Sequence, residues 1–240
     1  MIRSMLLEMC ILNGNNHVTG SVRYEGTFTG QISDITGACE KVVPKDIKDW
    51  NPPAGLTPKA WPSNYTFDSS GSYDGSYNMD GNYTIDTGVK NDIILYIKEL
   101  NINNNKTITA IGTGRVFLFV DKLTSGNKFN IISNQTTPFV YLILDKAINS
   151  SIGLGGGDMM QAFIYAPGSD LSPHGTPDIY GAVICRNYTG KGNTTVTYRT
   201  PNLKEEDFNG GSSTGTTTSK AVEYIRLEPI GLNGKQWIKG

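Results

Sequence analysis

The chain has 240 residues, 38% of them apolar and only 18% charged, with a formal net charge of −1. That charged fraction falls below the ~25% of an ordinary globule, and the balance leaves no basic patch for nucleic acid. No apolar run approaches the ~20 residues that span a bilayer. Gly, Asn, Thr, Ser and Tyr fill the gap, and these suit strands, turns and exposed hydroxyl or amide ladders better than long helices.

The first twelve residues, MIRSMLLEMCIL, hold one Arg and an interrupted apolar run, too short for a good signal peptide. The expectation is an exported chain whose signal lies upstream, touching a membrane only through such an N-terminal segment. Residues 13–32 read as short strands punctuated by Gly and Asn. The three cysteines make an odd count. Cys185 lies in an apolar run and reads as a small core residue. A Cys10–Cys39 disulfide stays open, because sequence cannot supply the geometry. Residues 44–63 gather Pro44, Pro52, Pro53, Pro58 and Pro62 around Trp50 and Trp61. This is a loop or short helix laying its aromatics over the core, with an aromatic binding platform as the sharper alternative.

Between residues 68 and 85, Tyr73, Tyr77 and Tyr83 alternate with Gly and Asp, and Asp68, Asp74 and Asp80 recur every six residues. The spacing invites a calcium site, but calcium needs six to eight oxygens at ~2.4 Å, usually from one tight loop. Neither the EF-hand nor the nonapeptide calcium pattern is present. Residues 155–158, Gly-Gly-Gly-Asp, touch the second pattern once. Turn chemistry accounts for these residues.

The centre of the chain is periodic. Leu95-Tyr-Ile-Lys-Glu-Leu100, Leu118-Phe-Val-Asp-Lys-Leu123 and Leu142-Ile-Leu-Asp-Lys-Ala147 align at nearly equal steps, position 95 on 118 and 118 on 142. Ala162-Phe-Ile-Tyr165 and Gly181-Ala-Val-Ile-Cys185 continue the series. A fixed period in the low twenties means stacked coils, none of which can bury its apolar face alone. Each unit pairs an apolar strand with a polar corner and a second strand, as in 106–110, 128–132 and 194–198. Corners such as 103–105 and 125–127 carry Asn, Ser and Gly. The runs 116–120 and 140–144 are continuously apolar, the mark of parallel strands covered on both faces. The outer cover is expected from the Pro/Trp segment or from residues 221–227. At the strand ends Lys98, Asp121 and Asp145 fall in one column and Glu99, Lys122 and Lys146 in the next. Cross-paired surface charge explains them. A carboxylate row for glycan cleavage would need two carboxylates at a defined separation or a base with a charge-neutralising partner, and nothing singles out such a set.

Residues 209–219 are low-complexity and read as a flexible loop before a last strand ending near Trp237. No GxGxxG, P-loop, GxSxG or HExxH pattern occurs. His17 and His174 stand alone, the latter in a Pro- and Gly-bounded loop. Seven Asn-x-Ser/Thr sequons, at Asn64, Asn82, Asn105, Asn134, Asn149, Asn187 and Asn193, matter only in a glycosylating host.

Three stretches, Phe163-Ile-Tyr-Ala-Pro-Gly168, Gly181-Ala-Val-Ile184 and Gly192-Asn-Thr-Thr-Val-Thr-Tyr198, together with 13–20 and 114–120, resemble the head domains of PilX-like minor pilins, surface proteins of type IV pilus assembly. The likeness covers about two thirds of the chain in scattered pieces of turn-and-strand signal. It implies a β-helix with a surface role and no enzymatic activity. The N-terminal apolar helix of a pilin, with its acidic residue near the start, has no counterpart here.

The expectation is therefore a single all-β domain over 1–240, a right-handed parallel β-helix with coils of about 23 residues and irregular covering loops. Its expected function is non-catalytic: an extracellular structural or adhesive part of a type IV pilus-like assembly. No catalytic, cofactor-binding or metal-binding residue is assigned. Expected partners are other pilin or surface-assembly subunits, with a host or glycan ligand also in view. Contact is expected through residues 44–80 and 166–178, since binding tends to sit on loops. The alternatives are a carbohydrate-binding or carbohydrate-active β-helix and an ice-binding solenoid. Thr107, Thr109, Thr194, Thr195 and Thr197 suggest the ice-binding face, while Lys128, Phe129 and Asn130 interrupt it. A leucine-rich repeat fits once, over 97–105, and fails where Ser125 occupies an aliphatic position.

Overall fold

Continuously apolar strands and alternating strands need different surroundings, and the fold supplies both. The computed structural model describes residues 4–31, 35–41, 50–89, 91–103, 105–126, 128–134, 140–199, 202–203 and 207, and for 4–11, 13, 23, 25 and 26 the backbone alone. Pro44, the loop 209–219 and the segment 221–227 lie outside them.

The strands run in chain order. The first group is β1 (Ser4–Gly14), β2 (His17–Thr19), β3 (Ser21–Thr29), β4 (Cys39–Lys41), β5 (Thr66–Phe67) and β6 (Gly71–Met79). Next come β7 (Tyr83–Asp86), β8 (Ile93–Ile102), β9 (Lys106–Ile111), β10 (Val116–Ser125), β11 (Phe129–Ser133) and β12 (Val140–Leu144). The last group is β13 (Ser151–Ile152), β14 (Met159–Met160), β15 (Phe163–Leu171), β16 (His174–Gly175), β17 (Asp178–Gly192) and β18 (Thr195–Tyr198). Their pairings are parallel, as in a β-solenoid, and no described helix is long and apolar enough to cross a membrane.

Two walls result. The first stacks β4, β3, β1, β17, β15, β12, β10, β8 and β6 in that spatial order, closed by a bridge from Pro58 to Ser72. The second stacks β2, β18, the start of β17, β14, β11, β9, β7 and β5. Leu95, Leu118, Leu142, Ile164 and Val183 face one another in register and are at most 1% exposed. The predicted column is thus the axis of the core, and its coils shorten from Leu142 onward.

The walls differ as their sequences do. Strands β10 and β12 are buried on both faces over 116–120 and 140–144, whereas β7, β9 and β11 alternate between buried and partly exposed residues. One corner is a stack of left-handed residues: Asn105, Lys128, Gly156, Gly175, Gly192 and Gly14, with φ from 61° to 91°. At Gly192 the constraint is double, since a Cβ there would lie 2.5 Å from the carbonyl oxygen of Gly175. Lys128 therefore belongs to this corner, and the second strand of its coil starts at Phe129 rather than Lys128.

Two expectations change. The interrupted apolar run at the N-terminus is a strand, β1, seated between β17 and β3. The first strands of the chain thus stack beyond its last coil. Residues 166–178, read as irregular, fall largely into β15 and β16. Cys39 is a free thiol. It pairs with Val22, which faces Met5, while Cys10 lies five positions further along β1. That separation, about 16 Å along a strand, is beyond the ~7 Å limit for a disulfide.

Candidate interaction surface

The outer face of the first wall is covered over β10, β12 and β15. Trp50, 6% exposed, covers Phe117, Phe119, Tyr141, Phe163 and Tyr165, with ring centroids 5.6–6.3 Å away. The Pro/Trp segment is therefore the cover that the apolar strands required, and Trp50 is not an open platform. Its indole Nε1 donates to the Asp207 carbonyl at 2.8 Å. The Asp207 carboxylate takes Arg115 Nη1 at 2.6 Å, and Arg115 also bonds Asp92 through Nε and Nη2, with its guanidinium 4.9 Å from the centre of Phe117. Burial works against the Arg115 charge, but the hydrogen bonds to Asp92 and Asp207 outweigh it and hold the group above its ordinary range. Residues 50, 115 and 207 are thereby latched together.

Beside Trp50 runs a cleft of about 40 Å³, bounded by Phe119, Asp121, Asp145, Lys146 and Tyr165. That is room for a few waters. Tyr96 Oη donates to Asp121 Oδ2 at 2.7 Å. Burial, then that bond, then the charges of Asp121, Asp74 and Asp145 push the phenol up. Lys122 Nζ meets Glu99 Oε1 at 2.9 Å, as the register of the charge columns requires. Asp145 leaves the column, because β12 ends at Leu144 and the Asp145 carboxylate accepts from the Ala147 amide.

The second wall keeps an open outer face. Thr66, Thr84, Thr109 and Ile132 form one register column, and Tyr180, Thr197 and Thr19 continue the same row beyond β14. Beside it lie Thr107 and Asn130, then Asp178, Thr195 and His17. Every one of these side chains is at least partly exposed. Neighbours in a column sit ~4.8 Å apart. Ile132, Met159, Asp178 and Tyr180 interrupt the threonines, so the regular hydroxyl lattice of an ice-binding face is not formed.

At the Pro58 end the core is plugged. Trp61 stacks on Tyr77 at 4.5 Å and donates to Tyr83 Oη at 2.6 Å, and Tyr83 donates to Asp80 Oδ1 at 3.1 Å. Tyr65, 43% exposed and at φ 58°, packs on Tyr83.

The aspartates considered for calcium do not converge. Asp68 accepts from Ser69, Asp80 accepts from Tyr83, and Asp74 is exposed on β6. Among the described residues no three His, Cys, Asp or Glu side chains are grouped to hold a metal. Asp158, 3% exposed, uses one carboxylate oxygen to take the Gly155 and Phe129 amides, tying two coils together. His17 and His174 are exposed and lie in separate strands. Cys185 is buried, as its apolar run implied.

Residues 14–206 match the family described as a domain of unknown function, DUF7305. The chain belongs to the DUF7305 family. No curated protein and no solved structure matches it significantly. The DUF7305 match begins at the corner residue Gly14 and ends one residue before the latch residue Asp207.

Two features of this DUF7305 chain escaped sequence reasoning. The Asp92–Arg115–Asp207 latch has no local signature, since Arg115 lies 23 residues from one aspartate and 92 from the other. The docking of the N-terminal strands did leave a signal: Gly14-Asn-Asn-His-Val-Thr19 and Gly192-Asn-Thr-Thr-Val-Thr197 share the pattern G-N-x-x-V-T. The two copies stack directly, Gly14 on Gly192, His17 on Thr195, Val18 on Val196 and Thr19 on Thr197.

Proposed function

We propose that the chain is a non-catalytic extracellular surface domain that works by display, as the head of a type IV pilus-like assembly. The observation that supports this is the inequality of its two walls. One outer face is covered by Trp50 over β10, β12 and β15, while the other presents a hydroxyl-rich row from Thr66 to Thr109 and from Tyr180 to Thr19. A rigid stack holds such a row at fixed spacing, which suits contact with other assembly subunits or with a host or glycan surface. The resemblance to minor pilin heads supports the assembly. Immunogold labelling of native host cells and of sheared surface filaments tests the reading. Label on the cell surface and in the filament fraction is expected, and full-length protein free in the cytosol would remove it.

A carbohydrate-binding role is the second reading, favoured by the aromatic end at Tyr65, Trp61 and Tyr77. Glycan binding lost on Tyr65→Ala, with the melt unchanged, would support it. Turnover of an acidic glycan that is abolished by substituting Asp121 or Asp145 would instead make the protein an enzyme.

A further inference from the structure

The glycine run 155–157 lies in the left-handed corner stack, between Lys128 on one coil and Gly175 on the next. It offers no side chain of its own, and basic groups from the two neighbouring coils lie over it. A Cβ on Gly156 would sit 3.7 Å from Lys128 Cε, and one on Gly155 would sit 2.7 Å from His174 Nε2. The floor beneath the lysine stem and the imidazole is therefore bare backbone, open to close approach. His174 in turn pairs in register with Lys191. Lys128, His174 and Lys191, all exposed, thus follow one another along an edge of the open wall. Lys128 and Lys191 are three coil steps apart, about 14 Å. They are distant in sequence, so only the stacking gathers them. Lys122, Arg115 and Arg186 each meet a carboxylate. Along this edge the carboxylates turn elsewhere. Asp158 is buried and spent on the Gly155 and Phe129 amides, and Asp80 accepts from Tyr83. Asp178 stands on the open wall beside Met159 and Thr195, and among the described residues it makes no salt bridge to the three basic groups.

We propose that this edge binds an acidic glycan laid along the solenoid axis. Its carboxylates meet Lys128 and Lys191 and accept from His174, and its hydroxyls lie against Asn130 and Thr195 on the adjoining wall. Charge complementarity selects the class, since unneutralised ammonium groups at fixed spacing favour a polymer that carries its own regular anions. An extended glycan advances by close to one coil spacing per sugar ring, so it keeps step with the stack. The bare glycine floor gives a sugar ring room between Lys128 and His174. Two lysines and a histidine are too few for nucleic acid, whose binders neutralise about 6–10 phosphates. The proposal rests on the glycan-contact reading and deepens it, placing the ligand at this corner rather than at the aromatic end.

The test titrates full-length protein with a galacturonate oligomer at low salt, with the fully methyl-esterified oligomer, polyphosphate and single-stranded DNA as the other probes. A Lys128→Gln/Lys191→Gln protein is compared with a charge-matched Lys41→Gln/Lys98→Gln protein, whose substituted lysines are exposed on the first wall. The galacturonate oligomer should bind, weaken about tenfold in the Lys128/Lys191 variant and change less than about twofold in the matched control. Binding should fade at about 0.5 M salt, and the ester should not bind. Equal weakening in the two variants, or ester binding as tight as that of the acid, would overturn the site. Tighter binding of polyphosphate or DNA would overturn the ligand class. The salt and ester arms need no substitution, so a variant that fails to fold does not shelter the proposal. Loss of binding on Tyr65→Ala alone, with the lysine variant unaffected, would sink this site while keeping a glycan at the aromatic end. No galacturonate binding at all would sink it too, and surface display, judged by the immunogold labelling, would stand or fall separately.

Discussion

Replacing Leu118 by Ala removes three carbons from the middle of the core column, where the side chain is 1% exposed and lies between Leu95 and Leu142. At ~0.8 kcal/mol per buried methylene the lost transfer energy is about 2.4 kcal/mol. The backbone on either side is held by parallel ladders to β8 and β12, so the wall cannot close over the gap. A residual void of about 60 Å³ at ~24 cal/mol per Å³ adds about 1.5 kcal/mol. The expected loss is therefore ~4 kcal/mol. With a urea m-value of about 3 kcal/mol/M, the midpoint of a melt followed by far-ultraviolet circular dichroism falls by about 1.3 M. Ile132→Ala is the comparison. Its side chain lies on the open wall at 37% exposure, and its loss should be about 1 kcal/mol or less. A Leu118→Ala loss below about 1 kcal/mol, or one equal to that of Ile132→Ala, would refute the column and with it the coil register.

Trp50→Ala should cost about 3–5 kcal/mol by uncovering five aromatic rings, whereas Trp50→Phe should cost mainly its bond to the Asp207 carbonyl, about 0.5–1.5 kcal/mol, and equal losses in denaturant melts would show that the ring does not cover the wall. Gly192→Ala places a side chain at φ 91° and 2.5 Å from a carbonyl oxygen, so a loss of at least about 1–3 kcal/mol is expected, while Gly55→Ala, with open space around it, bears only the ~1–2 kcal/mol strain of its own positive φ. Burial raises the phenols of Tyr73, Tyr83, Tyr96 and Tyr141. The neutral forms are thus favoured by folding, and their contribution is complete below about pH 10, the unfolded value, and fades as the pH climbs above it. Absorbance near 295 nm should show these tyrosines ionising together with unfolding, and smooth titration at about pH 10 with the fold intact would contradict the burial.

The strand spacing of the central coils could be read directly. Leu95, Leu118 and Leu142 repeat at nearly constant steps, and continuous apolarity marked the one wall that needed a cover. The cover was also legible in kind, since Trp50 sits in a proline-rich stretch with no periodicity of its own. Its target was not, because five rings from β10, β12 and β15 converge only when the coils are stacked. The latch was invisible for the same reason, Asp92 and Asp207 being ordinary aspartates until Arg115 lies between them. The six-residue step of Asp68, Asp74 and Asp80, left to turn chemistry in the sequence, does not bring the carboxylates together, because β6 and its flanking turns place them in separate surroundings.

Period, apolar pattern and corner residues determined by themselves that this chain winds into parallel coils, because each is a local demand that any register must meet. The order in which the coils lie was decided only in the tertiary structure. Parallel strands of similar apolar pattern can pair with any neighbour, so local chemistry does not choose among them. Placing β1 against β17 took stacked glycines that fit with no side chain between them and the bond from Asn16 to Gly190.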